Sequence, residues 1–294
     1  MKSTSHYAGS GVAIVTPFLE NGDLDIASLE KLVEHMVKGG VDYLVALGTT
    51  GENPTLSKEE RQQVYSLVNQ FNKGRLKLVA GIGGNDTRAV VKSMNDFDLT
   101  GYNAILSVSP YYNKPNNEGL FQHYKAINDN APLPVIMYNV PGRTGMNVNV
   151  ATTLRIANEC KNIVATKEAS GNVEQIMQII KDKPTGFEVI SGDDGITLPM
   201  MACGAIGVIS VVGNAYPKLV SELVNLCLEG KFIEARPHHE KMLPLIGSMF
   251  AEGNPSGVKA YLSELGITKN TFRLPVVGVS NQLMQTIQQL MKTI

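Results

Sequence analysis

Eight short apolar runs, each typical of a buried strand, alternate with helix-like segments over roughly the first 230 residues. Alternating strands and helices form parallel sheets, and eight such units predict closure into an α/β TIM (β/α)8 barrel. An open doubly wound sheet is the alternative, but its dinucleotide fingerprint is missing, because Asp86 stands where the third glycine after Gly81 and Gly83 belongs. The predicted strands cover 11–18, 43–48, 76–83, 102–109, 133–140, 163–170, 187–193 and 205–212.

The segments between these runs carry helix signals. Segment 26–37 places its apolar residues on one face: Leu29, Leu32, Val33, Met36 and Val37. Ser57 followed by Glu60 predicts a capping box at the start of the next helix, and Asp86 or Thr87 can cap the third.

After residue 230 the strand-like runs stop. Three helices are predicted instead, with Gly266 ending the second, at 232–251, 255–265 and 276–292. The pattern therefore predicts a catalytic barrel over 1–230 and a C-terminal three-helix domain over 231–294.

Composition and charge exclude several function classes. The net charge is −1 and no basic block occurs, which argues against nucleic-acid binding or a polybasic membrane anchor. Residues 1–11 are polar without a signal core, and no apolar stretch reaches the length of a membrane span. Cys160, Cys203 and Cys227 have no metal or redox spacing, which favours a reducing cytoplasm.

Lys167 lies near the end of the sixth apolar run, where a lysine is costly to bury. Burial disfavours the charged form of an amine, and a neutral amine can attack a carbonyl. Strand alternation turns Ala165 inward with Lys167 and Glu168 outward, and it turns Tyr138 inward with Ile136 on the neighbouring strand. An amine and a phenol then share one space, which favours Schiff-base chemistry. From the segment alone, a salt-bridged or solvent-reaching lysine is the alternative.

Other polar residues also follow predicted strands, at the barrel end where TIM-barrel active sites form. The turn Thr49-Thr50-Gly51 offers hydroxyls and approachable amides for a carboxylate, although an ordinary tight turn has the same sequence. Arg143 follows a Pro-Gly pair and can clamp a second carboxylate, or it can simply be solvated. His238 and His239 point about 100° apart on a helix, so surface positions are expected rather than a metal pair.

Three motifs now define a resemblance that covers essentially the full chain. They are Gly48-Thr49-Thr50-Gly51-Glu52, the run from Tyr138 to Thr144 (Tyr-Asn-Val-Pro-Gly-Arg-Thr), and Lys167-Glu168-Ala169-Ser170-Gly171-Asn172. In this order and spacing, the chain resembles the dihydrodipicolinate synthases of the N-acetylneuraminate lyase family of class I aldolases.

The resemblance implies a role for each matching residue. Lys167 forms an imine with pyruvate, and Tyr138 relays protons. Thr49 and Tyr112 are implied to complete the proton relay, with Tyr112 acting in the site of a neighbouring subunit. Thr50 is implied to bind the pyruvate carboxylate, and Arg143 the carboxylate of aspartate semialdehyde. Gly192 and the Ile209 carbonyl are implied to lie beside the substrate.

The implied reaction condenses pyruvate with L-aspartate 4-semialdehyde to 4-hydroxy-tetrahydrodipicolinate, the first committed step towards diaminopimelate and lysine. It needs no metal or organic cofactor, and the implied assembly is a homotetramer in which a dimer is the least functional unit.

Sialic-acid lyases of the family commonly have Ser-Thr at Thr49-Thr50 and lack the Pro-Gly-Arg arrangement before Thr144. Keto-deoxy-gluconate aldolases, some of which share Thr-Thr, stay an alternative, as does a silent pyruvate-binding regulatory barrel.

Many family members are inhibited by lysine, bound beside the turn after the second strand. This chain keeps Asn85 and Tyr111, but Lys58 and Arg61 stand where the sensitive pattern has histidines, and Ala89 replaces a glutamate. Two added cations and one lost carboxylate oppose the inhibitor's ammonium. The sequence therefore predicts weak or absent inhibition by lysine.

Overall fold

A closed barrel dominates the structure, a computed structural model that describes residues 7–294. Its strands pair in parallel and in chain order, and β8 closes on β1. This confirms the predicted TIM-barrel class. The strands are β1 Gly9–Ala13, β2 Tyr43–Ala46, β3 Lys77–Gly81, β4 Ala104–Val108, β5 Val135–Asn139, β6 Ile163–Glu168, β7 Glu188–Ser191 and β8 Gly207–Ser210.

Strands β2 to β8 lie inside their predicted ranges, but the prediction for β1 was wrong at both ends. The strand begins at Gly9, which approaches Gly207 so closely that a Cβ on Gly207 would lie 2.0 Å from the Gly9 carbonyl oxygen. It ends at Ala13, although the following residues stay buried. There Thr16 donates its hydroxyl to the Gly51 carbonyl at 2.6 Å, and Pro17 has no amide for a strand ladder.

Helices surround the barrel, and the second and third begin at their predicted caps. Asp25 caps α1, Ser57 and Glu60 form the capping box of α2, and Asp86 rather than Thr87 caps α3. The helices are α1 Ile26–Lys38, α2 Lys58–Asn72, α3 Thr87–Asp96, α4 Asn117–Asn130, α5 Pro141–Thr144, α6 Val150–Glu159, α7 Val173–Asp182, α8 Thr197–Ala202, α9 Pro217–Leu228, α10 Phe232–Phe250, α11 Ser256–Glu264 and α12 Asn281–Met291.

The apolar residues divide into two layers. One large cluster lies between the strands and the helices, and it includes the buried face of α1 with Leu29, Leu32 and Met36. A second cluster fills the barrel interior, and its members include Ile136, Tyr138, Ala165 and Ile209. The inward orientation predicted for Ile136, Tyr138 and Ala165 is thereby confirmed.

Helices α10, α11 and α12 follow the last barrel helix, as the sequence predicts, and Gly266 lies just beyond α11 at φ +67°. The predicted start of the last helix at 276 was wrong, because α12 begins at Asn281 behind its cap Ser280. The division at 230/231 into two domains stays a prediction. No helix within residues 7–294 is long and apolar enough to cross a bilayer. Most of the N-terminal stretch without a signal core, residues 1–6, lies outside the described residues.

Candidate active site

Lys167 and Tyr138 form the centre of the candidate site. They are direct neighbours in the register of β5 and β6, and the Lys167 Nζ lies 4.2 Å from the centroid of the Tyr138 ring. Only 5% of Lys167 and 6% of Tyr138 is exposed. A buried amine therefore lies against the face of a phenol ring, in the space that the two strands share.

Gly192 and Ile209 flank this pair at the ends of β7 and β8. A Cβ on Gly192 would lie 3.0 Å from the Lys167 Cε and 2.8 Å from the Ala169 Cβ, so only glycine leaves the lysine its present space. Ile209 belongs to the interior cluster and is buried. Gly192 is thus adjacent to Lys167, and Ile209 lies in the barrel interior.

The turn after β2 has a strained backbone. Leu47, at φ +56°, is in the left-handed region that a leucine rarely adopts. The Asn53 side chain holds it by donating from Nδ2 to the Leu47 and Gly81 carbonyls, at 3.1 Å each. The short 3-10 turn Thr49–Gly51 follows, and the first amides of such a turn have no partner within it.

A cavity of about 350 Å³ opens at this end of the barrel. Thr49, Tyr138 and Arg143 line it, whereas Lys167 and Thr50 are buried and do not belong to its lining. The remaining lining is largely apolar and includes Leu47, Leu106, Val108 and Val140. Among residues 7–294, the polar lining includes the Arg143 guanidinium and hydroxyl groups such as those of Thr49 and Tyr138, whereas the one carboxylate, of Glu52, is paired with Lys259. An unpaired guanidinium beside hydroxyl groups in an apolar cavity suits a small anionic substrate.

Sequence reasoning missed one wall of the cavity, which comes from the C-terminal segment. Asn254, Pro255, Pro275 and Val276 line it. Asn254 also donates from Nδ2 to the Thr50 Oγ1 at 2.9 Å, and its carbonyl accepts from the exposed Arg143 at 3.4 Å. The Asn-Pro dipeptide, which separates two helical patterns, was the available signal for a turn at this place.

A fully buried ion pair ties α11 to the turn after β2. The Lys259 ammonium bonds the Glu52 carboxylate, and the exposed fractions of the two side chains are 0% and 1%. Lys259 also donates to the Thr271 carbonyl at 2.9 Å and lies 4.5 Å from the Phe18 ring centroid. The C-terminal helices therefore help to place the Thr49-Thr50 turn.

Glu168 points away from the barrel axis, as strand alternation predicts, into a buried polar network. Its carboxylate accepts from Asn139 at 3.0 Å, from the Ser170 amide at 2.9 Å and from Gln175 at 3.3 Å. Burial raises the pKa of this carboxyl, and these donors oppose the rise. Because Asn139 follows Tyr138 and Glu168 follows Lys167, the network fixes the two strand ends that carry the site.

One predicted site residue, Tyr112, lies outside the cavity. Tyr112 is 88% exposed at φ +71° and does not line the cavity, whereas Tyr111 does. A single chain therefore does not bring Tyr112 to its own site. His238 and His239, expected at the surface, are partly exposed on α10: the His238 Nδ1 lies 3.3 Å from the Glu234 carbonyl oxygen, and partial burial lowers the pKa of His239.

Comparison with known proteins identifies the family. The sequence profile of the Dihydrodipicolinate synthetase family matches residues 6–294. The chain belongs to the dihydrodipicolinate synthetase family. A 4-hydroxy-tetrahydrodipicolinate synthase of Parabacteroides distasonis is 50% identical over 284 residues, which are 97% of this chain and 96% of the relative.

Solved structures of the dihydrodipicolinate synthetase family agree with this assignment. The dihydrodipicolinate synthase of Aquifex aeolicus is 41% identical, with a TM-score of 0.94 over 98% of both chains. The enzyme of Acinetobacter baumannii, solved in complex with pyruvate, is also 41% identical, with a TM-score of 0.94 over 97% of this chain and 98% of that one.

Proposed function

We propose that the protein is a 4-hydroxy-tetrahydrodipicolinate synthase, a lyase that condenses pyruvate with L-aspartate 4-semialdehyde through a Schiff base. The observation that carries the proposal is the buried Lys167 amine 4.2 Å from the Tyr138 ring centroid, at the barrel end where the cavity opens. The high identity to a curated synthase over nearly the whole chain supports the same substrates. The step opens the route to diaminopimelate and lysine.

The reaction starts at the Lys167 nitrogen. The neutral amine adds to the pyruvate carbonyl carbon, and loss of water leaves an imine. The imine accepts electrons, so a methyl proton departs and an enamine forms. The enamine carbon attacks the aldehyde of the second substrate, whose oxygen takes a proton. The product's own amine then attacks the imine carbon, closes the ring and releases Lys167 as a free amine.

The other residues handle protons and carboxylates. Tyr138 lies where its phenol can carry protons to and from the Lys167 adduct, and Thr49, on the cavity wall, extends the relay. Tyr112 completes the relay from a neighbouring subunit, which explains why its ring is exposed in a single chain. Thr50 holds the pyruvate carboxylate, and Gly192 and the Ile209 carbonyl border the same space.

Arg143 determines the second substrate. Its side chain lines the cavity and is exposed to it from α5, so it can bind the carboxylate of an acidic aldehyde. This favours aspartate semialdehyde over the neutral sugar fragment that a sialic-acid lyase releases. The chain acts as a homotetramer with the dimer as its least functional unit. Its free cysteines fit a cytoplasmic location.

A coupled assay tests the proposed function directly. Purified protein is given pyruvate with aspartate semialdehyde, and in parallel it is given N-acetylneuraminate or keto-deoxy-gluconate to cleave. We expect product only from the first reaction. Faster cleavage of either sugar acid would assign the protein to another aldolase of the family, and no turnover in any arm would favour a silent pyruvate-binding barrel.

A further inference from the structure

Asn254 lies between the two residues proposed to bind the substrates' carboxylates, although it is separated from Thr50 by 204 positions in the chain. Its side chain bonds the Thr50 hydroxyl at 2.9 Å, and its backbone carbonyl accepts from Arg143 at 3.4 Å. It also lines the cavity.

The direction of the bond to Thr50 has a chemical consequence. A hydroxyl offers one hydrogen and two lone pairs. The Asn254 Nδ2 donates to the Thr50 oxygen and occupies a lone pair, so the hydroxyl hydrogen is turned away from the amide. Thr50 then remains a donor, which is the role that binding a carboxylate demands.

Within residues 7–294, the Asn254 side chain bonds through its Nδ2 alone. Its Oδ1 is buried without a hydrogen-bond partner among the described residues. An unpaired buried oxygen costs stability, and the single bond to Thr50 has to offset that cost. The cost is consistent with a role for the Nδ2 bond in the site.

We propose that Asn254 is a positioning residue that orients the Thr50 hydroxyl as a donor to the pyruvate carboxylate. The inference rests on the proposed function, since it takes pyruvate as the ligand near Thr50. It assigns the C-terminal segment a part in binding the first substrate. The backbone contact to Arg143 is independent of the side chain, so exchange of the side chain should affect pyruvate more than the aldehyde.

The test is a double-mutant cycle with Asn254→Ala and Thr50→Val, read as the pyruvate concentration that half-saturates imine trapping by borohydride. Asn254→Ala should raise that concentration about fivefold, the factor of one ordinary hydrogen bond. In the Thr50→Val background the same exchange should change it less than about twofold, because the partner is gone. The KM for aspartate semialdehyde should move less than the pyruvate value in the Asn254→Ala single variant.

Two further variants keep the outcome clear. Asn254→Asp is nearly the same size, but its carboxylate only accepts, so it turns the Thr50 hydrogen towards itself and repels pyruvate; half-saturation should rise beyond the value for alanine. Asn162→Ala is the matched control, because that side chain donates to the Ala131 and Leu133 carbonyls at 3.1 and 3.2 Å, away from the cavity. It should lower the melting temperature and leave pyruvate half-saturation unchanged.

Several results would overturn the inference. These are an unchanged half-saturation in Asn254→Ala or Asn254→Asp, an equal effect of Asn254→Ala in both backgrounds, or a shift in Asn162→Ala as large as in Asn254→Ala. Wild-type protein that forms no pyruvate imine would instead refute the proposed function, and the inference with it. Wild-type imine formation with an unaffected Asn254→Ala refutes the inference alone.

Discussion

Exchange of Lys259 for methionine tests how firmly the C-terminal helices hold the site. The substitution keeps the length and the apolar stem of the side chain but removes the ammonium from a pair that is fully buried. Among residues 7–294, only the Arg273 amide, at 3.4 Å, then still donates to the Glu52 carboxylate, and the Thr271 carbonyl loses a donor. Breaking one side of a buried pair costs about 3–5 kcal/mol in the free energy of unfolding.

Thermal and denaturant unfolding measure this loss. For a chain of this size, we expect the melting temperature of Lys259→Met to fall by roughly 6–20 °C. The double variant Glu52→Gln/Lys259→Met should recover at least half of the loss, because no buried charge remains unpaired. A single variant within about 1 kcal/mol of wild type would show that the pair does not anchor the turn. A double variant as unstable as the single one would show that the loss does not come from an unpaired buried charge.

Three further predictions concern Glu60, Arg143 and lysine. Arg273 lowers the pKa of Glu60 to about 2, so their pairing stabilises the fold above the ordinary carboxyl pKa of 4.5 and is lost as the pH falls through about 2. Glu60→Gln, which can keep the capping box, should therefore lower the free energy of unfolding by about 1–2 kcal/mol at pH 7 in denaturant titrations. This difference from wild type should shrink at acid pH, and a difference independent of pH would contradict the assignment. Arg143→Ala should reduce kcat/KM for aspartate semialdehyde about tenfold to a hundredfold while pyruvate imine formation is retained, and an equal loss of both would make Arg143 a structural residue. Lysine should leave the rate unchanged into tens of millimolar, since Lys58 and Arg61 on α2 stand where the sensitive pattern has histidines, and Lys58 bonds Asp96 at 2.8 Å. Half-inhibition below one millimolar would refute this prediction.

Local patterns were sufficient to predict the barrel and the centre of its site. Strand alternation has a fixed period of two, so it placed Tyr138, Ile136 and Ala165 inside the barrel and Glu168 outside it without knowledge of the packing. The capping box of Ser57 and Glu60 is equally local, because its hydrogen bonds span three residues. The location of the candidate site at the carboxyl ends of the strands then followed from the barrel topology alone.

Contacts between distant segments could not be predicted in the same way. The bond from Asn254 to Thr50 and the pair of Lys259 with Glu52 join residues more than 200 positions apart, and nothing in a local window specifies such partners. The stretch 276–280 fits the helical pattern of α12, yet Val276 packs on the cavity instead. Tyr112 is exposed in a single chain, so its proposed part in the site of a neighbouring subunit stays a prediction.

The most direct test of the account is to trap the pyruvate adduct. Protein incubated with pyruvate and borohydride should gain one reduced pyruvate per chain, and peptide mass spectrometry should locate it on Lys167. Lys167→Arg should form no adduct and lose nearly all activity, because a guanidinium stays protonated and cannot add to a carbonyl. An adduct on a different lysine, or full activity without an adduct, would contradict the proposed mechanism.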